Sequence, residues 1–158
     1  MKVKRPRMST KCFIDGDLRL VLVGQGMASE PDTTVPVYKF KMSNAHSGIE
    51  TGEINLRAGY TENIELYRGN IGFTVIEPFR GHSLSGRSCL LLKPFIQSLG
   101  LEFLWLTCNL DNVASQRNIA YAGAQYIDLM RVPNDSPYAP FYPSHARVKL
   151  RYRWDIGR

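Results

Sequence analysis

The sequence predicts an α/β fold: a mixed, mostly antiparallel sheet flanked by helices, within one domain. Three observations carry that expectation. Runs of strand length alternate apolar and polar residues through the first half of the chain. Beyond Ser83 the apolar period changes from that of a strand to that of a helix. Between two helical stretches lies a short, almost wholly apolar run, as a buried strand requires. A length of 158 residues and a hydrophobic share of 44% suit a single domain, residues 1–158, with its own core.

The elements follow in order. Residues 17–23 set Leu18, Leu20 and Leu22 against Arg19 and Val21 and read as a strand. Residues 24–36 carry Gly24, Gly26, Pro31 and Pro36 and read as a loop. Residues 37–42 alternate Tyr38, Phe40 and Met42 with Lys39 and Lys41, a half-buried strand. Past a turn at 43–48, residues 49–57 read as its antiparallel partner, and 70–76 as a fourth strand rich in β-branched and aromatic side chains. Residues 83–99 form a helix in which Pro94 removes one backbone hydrogen bond and after which Gly100 suits the end. Residues 101–108 read as a central strand buried on both faces. Asp111 or Asn112 caps a second helix that runs to Ala122 and stops at Gly123. Residues 124–132 are another strand. A proline- and aromatic-rich loop, 133–144, leads to a last strand, 146–154. That strand sets Arg147, Lys149, Arg151 and Arg153 on one face and Val148, Leu150, Tyr152 and Trp154 on the other.

Composition excludes several classes. No run approaches the roughly 20 apolar residues that a membrane-spanning helix needs. The basic start, Met1 to Arg7, is not followed by an apolar signal core. A cytoplasmic protein with no membrane partner is therefore expected. Cys12, Cys89 and Cys108 are odd in number and widely spaced, neither a disulfide framework nor a metal cluster. His46 and His145 show no ligand spacing with any Cys or carboxylate, so no metal is expected. The net charge of +6 attracts polyanions, either nucleic acid or a phosphorylated coenzyme. Much of it gathers in Lys2, Lys4, Arg5 and Arg7 and in the last strand. The plainer reading is a flexible basic tail over residues 1–11 and the solvated face of an end strand.

Two segments carry chemistry. The first runs from Ile71 to Arg87, where a strand ends in a tight polar turn, Arg80-Gly81-His82-Ser83-Leu84-Ser85-Gly86, and opens a helix. Free N–H groups and the helix dipole make an anion site at such a place. An ordinary turn with a serine cap gives the same pattern. The second runs from Asn109 to Arg117, with Asn112 at a helix start and Ser115 three residues later, a pattern that capping alone also explains.

In this order the two segments resemble the coenzyme motifs of the GNAT superfamily of N-acetyltransferases, in the style of the branch acting on protein N-termini and small amines. The first motif is Arg or Gln, two residues, Gly, one residue, then Gly or Ala. It falls on Arg80, Ser83 and Ser85. The second is an Asn, a small residue three later, and a Gly that ends the helix. It falls on Asn112, Ser115 and Gly123. The resemblance covers residues 52–132.

The resemblance implies an acetyl-CoA-dependent N-acyltransferase, in which a primary amine attacks the thioester directly through a tetrahedral intermediate. The diphosphate would lie on the N–H groups from His82 through Ser83, Leu84 and Ser85 to Gly86, beside Arg80 and Gly81. The pantetheine arm would pair like an extra strand with Val75 and Ile76, and Asn112 would hydrogen-bond it next to Ser115. A backbone N–H of the fourth strand would stabilise the oxyanion, and most of the rate would come from holding the reactants together. No covalent enzyme intermediate is implied, so Cys108 reads as a core residue. Glu77 and Glu53 are candidate general bases, although each also reads as a solvated surface carboxylate. The acceptor is a protein N-terminus or a small molecule such as a polyamine, an aminoglycoside or an amino acid. A homodimer is left open.

Three departures from the family pattern stand out. Serines replace the motif's Gly and small residue at Ser83 and Ser85, which narrows the turn or adds hydroxyl donors. Ile119 occupies the position of the Tyr that protonates the leaving thiolate in many members, and Tyr121 lies about half a turn away. Only residues 24–36 are available where the family has two helices between its first two strands. This shortened crossover leaves the acceptor site open, or completed by a second subunit or by the loop after Pro133. The stretch Pro137 to Pro143 offers either a stacking wall for a substrate or an ordered loop packed on the sheet. The competing readings are a catalytically idle CoA-binding or interaction module and, last, a nucleic-acid-binding protein, for which no helix-turn-helix, zinc-finger or RNP pattern is present.

Overall fold

Residues 11–157 are described by the computed structural model. The expected basic tail thus lies outside the described residues, apart from Lys11.

Five strands form an antiparallel meander in sequence order: β1 (Cys12–Asp15), β2 (Leu18–Met27), β3 (Pro36–Asn44), β4 (Glu50–Arg57) and β5 (Ile71–Val75). A helix, α1 (Leu84–Ser98), follows. Then come β6 (Phe103–Asn109), a second helix α2 (Val113–Tyr121), β7 (Gln125–Arg131) and β8 (Val148–Asp155). These last three strands make a second antiparallel sheet in the order β6-β8-β7. The single mixed sheet expected from sequence is thus divided in two.

Asn70 holds the two sheets together. It is fully buried, and its N–H donates to the Trp105 carbonyl at 2.7 Å. Its Oδ1 accepts the Trp105 N–H at 2.8 Å, while its Nδ2 donates to the carbonyls of Arg57 (2.9 Å) and Gly59 (2.8 Å). One side-chain amide thereby satisfies both strands where neither sheet continues.

The apolar faces of both sheets bury against α1. Leu20, Phe40 and Ile54 from the first sheet meet Leu92, Phe95 and Ile96 of α1, and Leu104, Leu106 and Trp154 of the second sheet join the same core. Phe95 is the hinge of this packing, with Phe13, Tyr38 and Phe40 edge-on around it at 5.2–6.1 Å.

Several expectations need correction. β1 was not foreseen, and β2 runs on through Gly24 and Gly26, which read as loop; a bulge between Leu22 and Gly24 absorbs the irregularity. The run 101–108 was expected to be a central strand buried on both faces. β6 is instead an edge of its sheet, and only Leu104, Leu106 and Cys108 are buried along it. The last strand is not an end strand but the middle one, and its basic face is not simply solvated. Arg151 is only 7% exposed and lies 4.3 Å over the Trp105 ring, and Arg153 lies 4.0 Å over Phe103. A one-turn π-helix, Ile64–Arg68, also escaped the sequence reading.

The shortened crossover is present: residues 28–35 alone join β2 to β3, without a helix. A buried polar network stands beside it. Asp32, 1% exposed, accepts from Thr61 Oγ1 (2.5 Å), Asn63 Nδ2 (2.9 Å) and Arg68 Nη1 (2.9 Å), and Tyr142 Oη donates to Asn63 Oδ1 at 2.7 Å. Three loops are tied together by it. No helix among the described residues is long and apolar enough to cross a membrane.

Candidate functional site

A cavity of about 310 Å³ opens between the end of β5, the turn that follows it, and the N-terminal ends of α1 and α2. Of the residues singled out from sequence, Val75, Arg80, Gly81, Ser83, Leu84, Ser85, Asn112 and Ser115 line it. Phe73, Thr74, Phe79, Ala114 and Asn118 line it as well and were not foreseen. Phe73 was within reach of sequence reasoning, because it lies two residues from Val75 on the same side of the strand. Asn118 was not, because only the packing of α1 on α2 brings it there.

The turn is built from left-handed backbone. Gly81 has φ +89° and Ser83 has φ +56°, and helix α1 begins at the next residue. As a result the N–H groups of residues 81–85 find no acceptor among the described residues. Five consecutive unpartnered donors at a helix N-terminus favour a multiply charged anion.

Neighbouring contacts hold some of these residues in place and set others outside the cavity. Gly86 has its N–H engaged by Asn118 Oδ1 at 2.9 Å. A Cβ on Gly86 would come within 2.8 Å of the Asn118 carbonyl, so this glycine sets the approach of α1 to α2. Ile76 is 42% exposed, and its N–H donates to the Thr51 carbonyl at 2.8 Å. His82 lines an adjoining hollow of about 190 Å³ with Asp17, Asn44 and Thr51. Arg80 is exposed, and its Nε donates to the Val75 carbonyl at 2.9 Å, which fixes the end of β5. Asn112 caps α2, its Oδ1 accepting the Ser115 N–H at 3.0 Å. Glu53 and Glu77 are exposed and do not line the cavity; Glu53 lies opposite Thr74 across the β4–β5 pair.

No thiol nucleophile is available beside the cavity. Burial pushes the Cys89 thiol up to about 12 and the Cys108 thiol up to about 11. Ile119 is 1% exposed and belongs to the core, while Tyr121 lies against Gly86. Among the described residues no group of three His, Cys, Asp or Glu could hold a metal ion.

No family model matches the sequence, and no curated protein sequence matches it. Solved structures do match the fold. RimL, a ribosomal L7/L12 alpha-N-protein acetyltransferase in an apo crystal form, is 17% identical over 77% of this chain and 71% of its own, with a TM-score of 0.58. A Vibrio cholerae structure provisionally described as a ribosomal-protein-serine acetyltransferase is 13% identical over 92% of this chain and 97% of its own, with a TM-score of 0.62. The Microcin C7 self immunity acetyltransferase MccE, solved with acetyl-CoA and AMP, is 12% identical over 75% of this chain, with a TM-score of 0.56. This chain covers 61% of MccE, less than two thirds of its length.

Proposed function

With the GNAT acetyltransferase fold as premise, we propose that the chain transfers an acetyl group from acetyl-CoA to a primary amine. The observation that supports this most is the row of five free N–H groups, residues 81–85, of which Gly81, Ser83, Leu84 and Ser85 line a cavity bordered by β5. A diphosphate fits that row, because backbone donors and the α1 dipole act on it together. Glycine at position 81 leaves open space above the turn, with nothing within 4 Å of where a Cβ would stand.

Strand geometry supports the next part of the reading. The Ile76 N–H donates to the carbonyl of Thr51 on β4, so the alternation leaves the N–H groups of Phe73 and Val75 on the edge away from β4. Phe73 and Val75, rather than Val75 and Ile76, are the residues to receive an extended pantetheine arm and to polarise the thioester carbonyl. Asn112 keeps its Nδ2 for a ligand carbonyl while its Oδ1 caps α2. Glu53, opposite Thr74, is the carboxylate we assign to accept the ammonium proton, and Glu77 remains a surface group.

A protein N-terminus, the acceptor named in the description of RimL, suits a site with no crossover helices in front of it. Small amines remain within the same reading.

Isothermal titration with acetyl-CoA tests the reading, on wild type and on Gly81→Trp. The expected result is binding to the wild type and at least a roughly tenfold weaker affinity in the variant, about 1.4 kcal/mol. An unbound wild type sinks the enzyme reading. If binding holds, thiol release with an amine panel on wild type and Glu53→Gln tests the transfer step, where a loss of about 10²-fold or more in kcat is expected for the variant.

A further inference from the structure

The hollow of about 190 Å³ beside the first cavity has no part in the acetyl-transfer reading so far. Phe79 and Leu84 border both spaces, so the two adjoin across the turn that carries the free N–H groups. His82 belongs to that row and lines the second hollow, not the first. Asp17, Leu18 and Asn44 line it as well, from the β2–β3 end of the first sheet.

Local structure fixes the polar wall. Leu18 and Asn44 are partners in the β2–β3 register, and the Ala45 N–H donates to the Asp17 carbonyl at 2.7 Å. The turn after β3 is thereby tied to the start of β2. Asn44 Oδ1 accepts the N–H groups of His46 and Ser47, each at 2.9 Å, which holds the amide in that turn. Asp17 Oδ1 accepts from Arg87 Nη2 at 2.8 Å, in the first turn of α1. Asn44 Nδ2 is left as a donor and Asp17 Oδ2 as an acceptor, neither with a hydrogen-bond partner among the described residues. The Arg87 guanidinium holds the Asp17 carboxyl below its ordinary range, so at neutral pH it only accepts. The remaining walls are apolar: Leu18, 1% exposed, and the half-buried Phe79 and Leu84. A space of this size takes one flat heterocycle rather than a whole nucleotide. An acceptor and a donor on one wall suit a ring edge that sets an amino group beside a bare ring nitrogen, as adenine does.

Resting on the acetyl-transfer reading, we propose that this hollow is a base-selecting subsite for the adenine of the coenzyme, Asp17 accepting from its amino group and Asn44 donating to the ring nitrogen beside it. Phe79 and Leu84 supply the apolar surface for the ring. A coenzyme laid along β5 with its diphosphate on residues 81–85 has its nucleotide end at His82, where the hollow begins. The chain then distinguishes adenine from a base that carries an oxygen in place of the amino group. With the base held by its ribose and diphosphate, that oxygen would face the Asp17 carboxylate, acceptor against acceptor.

Calorimetry with acetyl-CoA and with its deaminated analogue, in which hypoxanthine replaces adenine, tests the subsite without requiring turnover. Wild type is expected to bind acetyl-CoA at least roughly tenfold more tightly than the analogue. Asp17→Asn, whose amide can turn to either base, is expected to narrow that ratio to about twofold or less. Asn44→Asp keeps the acceptor that holds its turn and removes the donor, and is expected to weaken acetyl-CoA at least about fivefold. S-Acetyl-4′-phosphopantetheine, which has no base, should bind wild type and both variants alike. Equal affinity of wild type for acetyl-CoA and its deaminated analogue overturns the proposal and leaves the acetyl-transfer reading standing. An undiminished ratio in Asp17→Asn together with unaltered acetyl-CoA affinity in Asn44→Asp does the same. Binding of adenosine 5′-diphosphate in preference to inosine 5′-diphosphate, without binding of acetyl-CoA, would overturn the acetyl-transfer reading and make a free nucleotide the source of the base. Binding of neither nucleotide nor coenzyme overturns both.

Discussion

Ser83 is the described non-glycine residue with left-handed backbone, at φ +56°. That conformation strains a side chain with a Cβ by about 1 kcal/mol or more. Ser83→Gly is expected to raise stability by roughly 0.5 kcal/mol once the looser unfolded chain is counted, measured by urea denaturation. Gly86 gives the opposite case. Gly86→Ala drives a methyl into the Asn118 carbonyl and the Tyr121 ring, each 2.8 Å away, and should destabilise by roughly 1–3 kcal/mol. The same variant should loosen acetyl-CoA binding, because the α1–α2 approach forms one wall of the cavity. The three thiols divide cleanly: at about pH 8 a thiol reagent should modify exposed Cys12 and leave the buried, protonated Cys89 and Cys108 until the chain unfolds. At this scale the turn around Arg80, Ser83 and Ser85 was legible, because backbone chemistry restricts which residues can form it. Asn118 and Gly86 were not, because their roles are contacts between helices that sequence spacing does not encode.

Elements were legible where one face is buried and the other is not. β3 and β4 show this, their side chains alternating between core and solvent, and the sequence periodicity matches. β2 was cut short in the reading because Gly24 and Gly26 mimic a loop, yet both pair with β3, opposite Lys39 and Val37. The π-helix Ile64–Arg68 gave no periodic signal, since one turn is too short to repeat. What fixes it is polar: Asn63 links Asp32 to Tyr142 from the residue just before it. Asn63→Leu would leave the Tyr142 hydroxyl without its acceptor and Asp32 Oδ2 with Arg68 as its remaining donor, in a buried site. A loss of roughly 2–3 kcal/mol is expected on thermal or urea unfolding. A loss below about 0.5 kcal/mol would mean that the network is not what orders these loops.

At the scale of the whole molecule the fold class was legible, and the division into two sheets was not. Asn70 stands at that division, and nothing in its neighbourhood in the sequence announces it. The basic balance was also legible as a number but not as a place. The cations of β8 were read as solvent-facing; Arg153 is exposed, over the Phe103 ring, whereas Arg151 is buried over the Trp105 ring.

The order β6-β8-β7 has a bearing on how the chain reaches its native state. Every pairing in the meander of β1 to β5 joins neighbours in sequence, so that half closes only short loops as it forms. β6 and β7 share no ladder with each other, and both wait for β8, the strand farthest along the chain. The N-terminal half can therefore organise early, whereas the half that carries α2 and Asn112 is closed by β8, the last of the described strands. In pulse-labelling hydrogen exchange, the amides of β3 and β4 should gain protection before those of β6 and β7.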